Sequence, residues 1–171
     1  MKNLIKILQL IFILICSSAV TAFPDKPIRI IVPFSPGGGT DLVARTISEG
    51  MSRELGQSVV VENRPGAGTT IGTDFVVKSP ADGYTLLLAT FAQAVNPSLI
   101  KNLPYNASRD LIPVAMVGNS PNVLVVPSQS PFQSVADVIT YAQKFPGKLT
   151  YASQGNGTSA HLAGELFISL T

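Results

Sequence analysis

One stretch, from residue 28 to residue 55, constrains the fold of this chain more than any other. Its first part, residues 28–32, is mostly β-branched and lies between two prolines, which favours a short buried strand. Three successive glycines follow at 37–39, where the absence of Cβ atoms lets a ligand approach the main chain closely. A helical pattern comes next, so the stretch predicts a strand, a glycine loop and a helix in immediate succession.

The helix that follows the glycine loop has a recognisable start and end in the sequence. Thr40 or Asp41 is expected to cap its N-terminus, and Gly56 to end it in a left-handed conformation. The predicted apolar stripe takes every fourth residue: Val43, Ile47, Met51 and Leu55. A glycine turn that leads into a helix N-terminus can bind an anion, although a tight turn without a ligand has the same sequence signature.

The first 22 residues predict a secretory signal peptide. Lys2 and Lys6 form a positive segment, an apolar run follows, and small residues precede a cleavage site near Ala22. The apolar run is shorter than the roughly 20 residues that a membrane-spanning helix needs, which disfavours a membrane anchor. We therefore expect an exported protein whose mature part begins near residue 23.

The composition of the mature part argues against several classes of protein. The whole chain has 12 basic and 10 acidic residues, so loss of the two leader lysines leaves no net charge and no basic run for nucleic acid. The single cysteine lies in the leader, and the chain has one histidine. Neither a disulfide nor a cluster of metal ligands is therefore expected.

The first half of the mature chain predicts an α/β fold with a parallel sheet. Three apolar runs alternate with helical patterns, which indicates right-handed βαβ crossovers: 28–32, 59–62 and 86–89. The second helix is expected to turn Ile71, Phe75 and Val76 inward, and Asn96 and Pro97 to start the third. Ligands of parallel sheets bind beyond the carboxyl ends of the strands, so three loops are candidates: 35–41, 63–69 and 89–96.

The pattern changes after these elements, and we place a hinge between two lobes near residue 127. The first lobe is expected to span residues 23–126, and residues 127–171 to begin a second, incomplete lobe. Further short strands are predicted at three places: 111–117, 123–126 and 149–152. Ser134 and Asp137 predict a capping box for one helix. A second glycine loop, 153–159, leads into another helix that carries Leu162, Leu166 and Leu170 on one face.

Six stretches carry a resemblance to a known family, in the same order as in that family: 23–29, 32–41, 62–68, 81–86, 96–99 and 155–162. The chain resembles the substrate-binding proteins of tripartite tricarboxylate transporters, the Bug/TctC periplasmic receptors. The resemblance implies a periplasmic-binding-protein-like (type II, Venus flytrap) two-lobed α/β fold that captures a small carboxylate. It also implies delivery to membrane permease subunits, or to a sensor, by a receptor that we expect to be monomeric. Members of the family carry a further half that this chain lacks.

The resemblance also implies where a ligand binds. Its carboxylates are expected to meet loop 35–41 on one side and loop 153–161 on the other, largely through backbone N–H groups and bound water. The candidate ligand-binding residues are Ser35, Gly37, Gly38, Gly39, Thr40, Asp41, Thr90, Ser153, Gly157, Thr158 and His161. A carboxylate at Asp41 would repel an anion, so we expect it to cap the helix or to meet a ligand amine or hydroxyl. His161 is expected to pack or to donate one hydrogen bond.

Two alternatives to a carboxylate receptor stay open at this point. One is a truncated, non-binding paralogue, because the chain ends inside the last predicted helix. The other is a secreted α/β hydrolase-like enzyme, which would need a nucleophile–base pair that the sequence does not offer, and we expect no catalytic residue. The glycines at 155 and 157 imitate a dinucleotide motif, but no acidic residue follows about 20 positions later, so no cofactor is expected.

Overall fold

The computed structural model describes residues 22–171, and a sheet of three parallel strands forms the core of the part it describes. The predicted signal peptide, as far as residue 21, lies outside the described residues. The strands are β1 (Ile28–Val32), β2 (Val59–Asn63) and β3 (Thr85–Leu87). The helices are α1 (Gly39–Leu55), α2 (Thr70–Val77), α3 (Ala92–Leu99), α4 (Val135–Lys144) and α5 (Ser159–Leu170), with a 3₁₀ turn at Ala67–Thr69 before α2.

The sheet has the order β2–β1–β3, with β1 in the centre. Ile30 pairs with Val61 on one side and with Leu86 on the other, both in parallel register. Ile31 and Val32 are fully buried, as expected of a central strand covered on both faces. The predicted α/β class and parallel sheet are therefore confirmed, and the loops that follow the three strands lie at one edge of the sheet.

Helix α1 packs on one face of the sheet, and the side of the helix that it buries is shifted from the predicted apolar stripe. Ile47 and Met51 pack against the core as predicted, but Val43 is 42% exposed. Ala44 and Ser48 are buried instead. A strict spacing of four residues drifts around a helix with 3.6 residues per turn, so both ends of the predicted stripe, Val43 and Leu55, lie away from the sheet. Gly56 adopts the predicted left-handed conformation after the helix.

Helices α2 and α3 differ from their predictions in which residues they bury. In α2, Ile71 is exposed, whereas Gly72 and Thr73 are buried. Helix α3 begins four residues before Asn96, so the prediction that Asn96 caps this helix is wrong. Asn96 is buried inside the helix because its amide donates to the carbonyl of Gly68 and to the Thr69 hydroxyl. That use of the side chain depends on tertiary packing, which the local sequence does not show.

The three strands predicted after residue 110 do not form. Within residues 22–171, none of the segments 111–117, 123–126 and 149–152 belongs to a ladder, and their apolar side chains are largely exposed. A strand needs a hydrogen-bonded neighbour, and the described residues supply none to these segments. Helices α4 and α5 form as predicted, although neither buries a residue fully. In α5, Leu166 and Leu170 are 59% and 76% exposed.

The predicted capping box of α4 is confirmed. The Ser134 hydroxyl accepts from the N–H of Asp137 at 3.2 Å, and the Asp137 carboxylate accepts from the N–H groups of Ser134 and Gln133 at 2.9 Å. Each side chain thus satisfies backbone donors that a helix start leaves without an intrahelical partner.

We expect Ser134→Ala to destabilise α4 by about 1 kcal/mol, because the Asp137 N–H loses its acceptor. Amide hydrogen exchange of residues 135–138 should accelerate accordingly. Thr46→Ala is the matched control, since the Thr46 hydroxyl donates to Leu42 within α1 and caps no helix end. Unchanged exchange at residues 135–138 in Ser134→Ala would show that the box contributes nothing.

Candidate functional site

A cavity of about 240 Å³ opens where three loops meet. Its lining comes from within residues 33–35 after β1, 65–69 after β2 and 154–158 before α5. The first two loops follow neighbouring parallel strands, where ligands of such sheets bind. The third brings the second predicted glycine loop to the same place. None of the lining side chains is charged, so the polar groups at the cavity are main-chain groups and neutral side chains.

The loop before α5 packs against the first half of the fold through Gly157. This residue has φ +78°, a conformation that favours glycine. A Cβ at Gly157 would lie 3.4 Å from Leu99 Cδ1 and 3.6 Å from Asn96 Oδ1, both on α3. The loop before α5 is therefore in van der Waals contact with α3.

The loop after β1 presents main-chain donors at the start of α1. Gly37 has φ +85°, and the residue that caps the helix is Gly38, whose backbone is extended and which provides no side-chain cap. The N–H of Leu42 donates to the Gly38 carbonyl at 3.0 Å and is the first of the intrahelical bonds. The N–H groups of residues 38–41 therefore have no intrahelical partner, and the helix dipole adds positive potential there. The prediction that Thr40 or Asp41 caps α1 is wrong.

Asp41 lies in the first turn of α1, where its buried carboxylate accepts four hydrogen bonds. Arg45 donates from Nε to Oδ2 at 3.0 Å and from Nη2 to Oδ1 at 3.1 Å. The Gly37 N–H donates to Oδ2 at 2.9 Å, and Asn63 Nδ2 donates to Oδ1 at 2.9 Å. Asn63 Nδ2 also lies 3.1 Å from the Phe34 carbonyl oxygen. This network ties the glycine loop to α1 and to the end of β2.

The network sets the ionisation of Asp41. Hydrogen bonds from the Arg45 guanidinium, the Gly37 N–H and the Asn63 amide lower the pKa of this carboxyl from 3.8 to about 2. All three donors favour the charged form, so Asp41 stays ionised at any physiological pH.

We expect this lowered pKa to make folding stability depend on acid. Because the pKa is lower in the folded chain than in the unfolded chain, ionised Asp41 stabilises the fold above pH about 4, and this contribution is lost as pH falls through about 2. This is tested by measuring the melting temperatures of the wild type and of Asp41→Asn, which lacks the carboxyl, from about pH 5 to about pH 2. Their difference should shrink as the pH falls; a constant difference would contradict the assignment.

The second glycine loop satisfies its own donors. The Thr158 hydroxyl caps α5 by accepting from the His161 N–H at 3.3 Å, and it donates to the Gly155 carbonyl at 2.7 Å. His161 Nδ1 accepts from the Gly157 N–H at 3.3 Å. The imidazole is thus an acceptor within the loop, where the sequence led us to expect packing or donation.

Two of the eleven predicted site residues line the cavity, and the other nine do not. Ser35 and Thr158, from opposite ends of the chain, line the same cavity. Gly37 and Asp41 lie in the network described above, and the Thr90 hydroxyl accepts a long hydrogen bond of 3.4 Å from the Ala92 N–H at the start of α3. The remaining members of the predicted set are not part of the lining: Gly38, Gly39, Thr40, Ser153, Gly157 and His161.

The other lining residues were not among the individually predicted site residues: Pro33, Phe34, Pro65, Gly66, Gly68, Thr69, Gln154, Gly155 and Asn156. Those after residue 64 nevertheless lie in loops 63–69 and 153–161, which the sequence named as candidate ligand loops. The side chains of Asn63 and Arg64 are used structurally. Arg64 forms an ion pair with Glu62, and its guanidinium stacks 3.7 Å from the Phe75 ring centre.

Two absences hold for the described part of the chain. No helix within residues 22–171 is long and apolar enough to cross a membrane. The same residues contain no group of three or more histidine, cysteine or acidic side chains that could hold a metal ion.

Residues 43–170 match the tripartite tricarboxylate transporter family receptor (TctC) family. The protein BugT of Bordetella pertussis is 43% identical over 173 aligned residues, which cover 96% of this chain and 53% of BugT. The chain thus spans about half the length of the curated relatives it matches.

Solved structures give the same result. A periplasmic transporter superposes with a TM-score of 0.83 at 44% identity, covering 87% of this chain and 50% of its own. The R. palustris protein Rpa4515 with adipate also gives 0.83, at 37% identity, with 87% and 50% covered. MatC from Rhodopseudomonas palustris with bound malate gives 0.77 at 33% identity, with 86% and 51% covered. By sequence and by fold, the chain belongs to the TctC family of tripartite tricarboxylate transporter receptors.

Proposed function

We propose that this chain forms the ligand-contacting part of a periplasmic solute receptor that captures a small carboxylate for a tripartite tricarboxylate transporter. The observation that carries the proposal is the cavity in which the loop after β1 meets the loop before α5. The two loops come from the two predicted lobes, 23–126 and 127–171. A ligand held between them would hold the lobes together.

The chemistry of the cavity suits an anion that binds without a positively charged side chain. The loop that lines the cavity at Ser35 continues into the start of α1, where main-chain N–H groups have no intrahelical partner and the helix end carries partial positive charge. Hydrogen bonds to a charged group stabilise a complex by roughly 1.5–3 kcal/mol each. Two or three such bonds, together with the hydroxyl of Ser35 at the cavity, are enough to favour a carboxylate over its neutral amide.

Two structural neighbours support the proposed ligand class. Rpa4515 is seen with adipate and MatC with malate, and both share the fold of this chain over about half of their own length. From them we extend only the class, a small carboxylate; the proposed candidates are a di- or tricarboxylate, an aromatic acid or an acidic amino acid. Membrane permease subunits are the proposed partners, with a sensor as the alternative, and the receptor is proposed to act as a monomer in the periplasm.

The test is a thermal melt of the purified chain, alone and with adipate, malate, nicotinate or glutamate. We expect at least one acid to raise the melting temperature, because a ligand that binds only the folded state stabilises it. Adipamide is the matched control for adipate, since it keeps the length and removes the charge. A cooperative transition that no acid shifts, or no cooperative transition at all, would favour the non-binding paralogue. Turnover of ester substrates would favour the hydrolase alternative.

A further inference from the structure

The carboxylate of Asp41 has no hydrogen-bonding capacity left for a ligand. Each of its oxygens accepts two hydrogen bonds, Oδ2 from Gly37 and Arg45, and Oδ1 from Arg45 and Asn63. A carboxylate offers about four lone-pair sites, and all four are in use. The residue is also 4% exposed. Asp41 is therefore poorly placed to contact a ligand amine or hydroxyl, in contrast to what its sequence position suggests.

The same bonds determine the shape of the glycine loop. The Gly37 N–H donates to the Asp41 carboxylate, and Gly37 has a positive φ. The N–H groups from Gly38 onward are therefore left at the start of α1 without this side-chain acceptor. Asn63 holds the other end of the loop, because its amide donates both to the Phe34 carbonyl and to Asp41. The loop is thus anchored at Phe34 and at Gly37 by one buried side-chain network.

Arg45 compensates the charge that this arrangement introduces. A lone carboxylate beside a carboxylate-binding loop would repel the ligand. The guanidinium of Arg45 contacts both oxygens of Asp41, so the pair adds little net charge to the site. Arg45 also donates to the Asn63 Oδ1 at 3.2 Å, which joins the three side chains in a closed set.

We propose that Asp41 is a positioning residue: it does not touch the ligand but holds loop 35–38 in the conformation that presents its main-chain N–H groups. The inference rests on the proposed function, since it assigns a role in carboxylate binding. A residue with only a structural role would change the melting temperature without changing the affinity of the folded protein.

The experiment compares Asp41→Leu, Asp41→Asn and a matched control, Asp137→Leu. Asp137 occupies the equivalent third position of α4 and accepts from the backbone N–H groups of Gln133 and Ser134, as Asp41 accepts from that of Gly37, but it has no contact with the loop after β1. Two quantities are measured well below each melting temperature: the affinity for adipate by calorimetry, and the hydrogen-exchange rate of the Gly37 amide by NMR without ligand.

We expect Asp41→Leu to weaken adipate binding roughly 10- to 100-fold, the range for loss of a charged hydrogen-bond partner. Exchange at Gly37 should accelerate in the same variant. Asp41→Asn keeps one acceptor oxygen and should lose less of both, and Asp137→Leu should change neither. Unaltered Gly37 exchange in Asp41→Leu, or equal affinity losses in Asp41→Leu and Asp137→Leu, would overturn the proposal. A wild type that does not bind adipate would count against the proposed function for this acid, while the exchange rates would still decide whether Asp41 orders the loop.

Discussion

Gly72→Ala is expected to destabilise the chain by roughly 1–3 kcal/mol, the usual cost of forcing an extra methyl group into a packed site. A Cβ at Gly72 would stand 2.8 Å from the Arg64 carbonyl oxygen and 2.9 Å from Pro33 Cβ. The carbonyl oxygen is a backbone atom just after β2, and the Arg64 N–H is itself bound to the Val32 carbonyl at 2.8 Å. The neighbours therefore cannot move without disturbing the ends of β1 and β2. Urea denaturation measures the change in the free energy of unfolding.

Gly50→Ala is the matched control for this prediction. Gly50 also lies inside a helix, α1, but a Cβ there would meet no atom within 4 Å. Alanine is a better helix former than glycine, so Gly50→Ala should stabilise the chain by up to about 1 kcal/mol. If Gly72→Ala proved as stable as the wild type, the contact of α2 with the ends of the strands would be looser than described.

Gly38→Val is expected to lower the affinity for adipate by about 100-fold or more, equivalent to loss of one or two hydrogen bonds to a charged group. Gly38 has φ −80° and ψ 169°, which valine adopts without strain, and its Cβ would meet only the Ser35 carbonyl oxygen, at 3.9 Å. The fold should therefore stay intact. The branched side chain would instead occupy the space over the free N–H groups at the start of α1. Calorimetric titration with adipate measures the affinity, and a melt checks the fold.

The control for this variant is Gly118→Val. Gly118 is exposed, belongs to neither glycine loop, and a Cβ there would meet no atom within 4 Å. This substitution makes the same change in side-chain volume in a segment that should not contribute to binding. Undiminished adipate affinity in Gly38→Val, with Gly118→Val as the reference, would refute the assignment of the glycine loop to the ligand.

Gly72→Ala and Gly38→Val both alter the edge of the sheet at which the sequence predicted ligand binding. The β-branched residues of β1, the glycines after it and the helical pattern of α1 are local signals, and the structure confirms all three elements. The capping box at Ser134 and the left-handed Gly56 are equally local, because each depends on residues within one turn of a helix end. Family membership follows from an ordered set of such stretches.

Two of the predictions that were wrong depend on contacts between distant residues. Asn96 has the sequence signature of a helix cap, yet it is buried because Gly68 and Thr69 supply acceptors from another loop. Residues 111–117 have the composition of a strand but no hydrogen-bonded neighbour among the described residues. Composition predicts that a segment can form a strand, whereas pairing requires a second strand at the right distance.

The sequence by itself therefore determined the elements around the site: the parallel strands, the glycine loops, the presence of helices after them and the family. Only the tertiary structure decided how Asp41 is used, because its partner Asn63 lies 22 residues away and reaches it only when β2 pairs beside β1. It also decided that Ser35 and Thr158 line one cavity. Local propensities act over a few residues of chain, whereas hydrogen-bond partners and cavity walls are chosen by the packing of elements that the chain brings together from far apart.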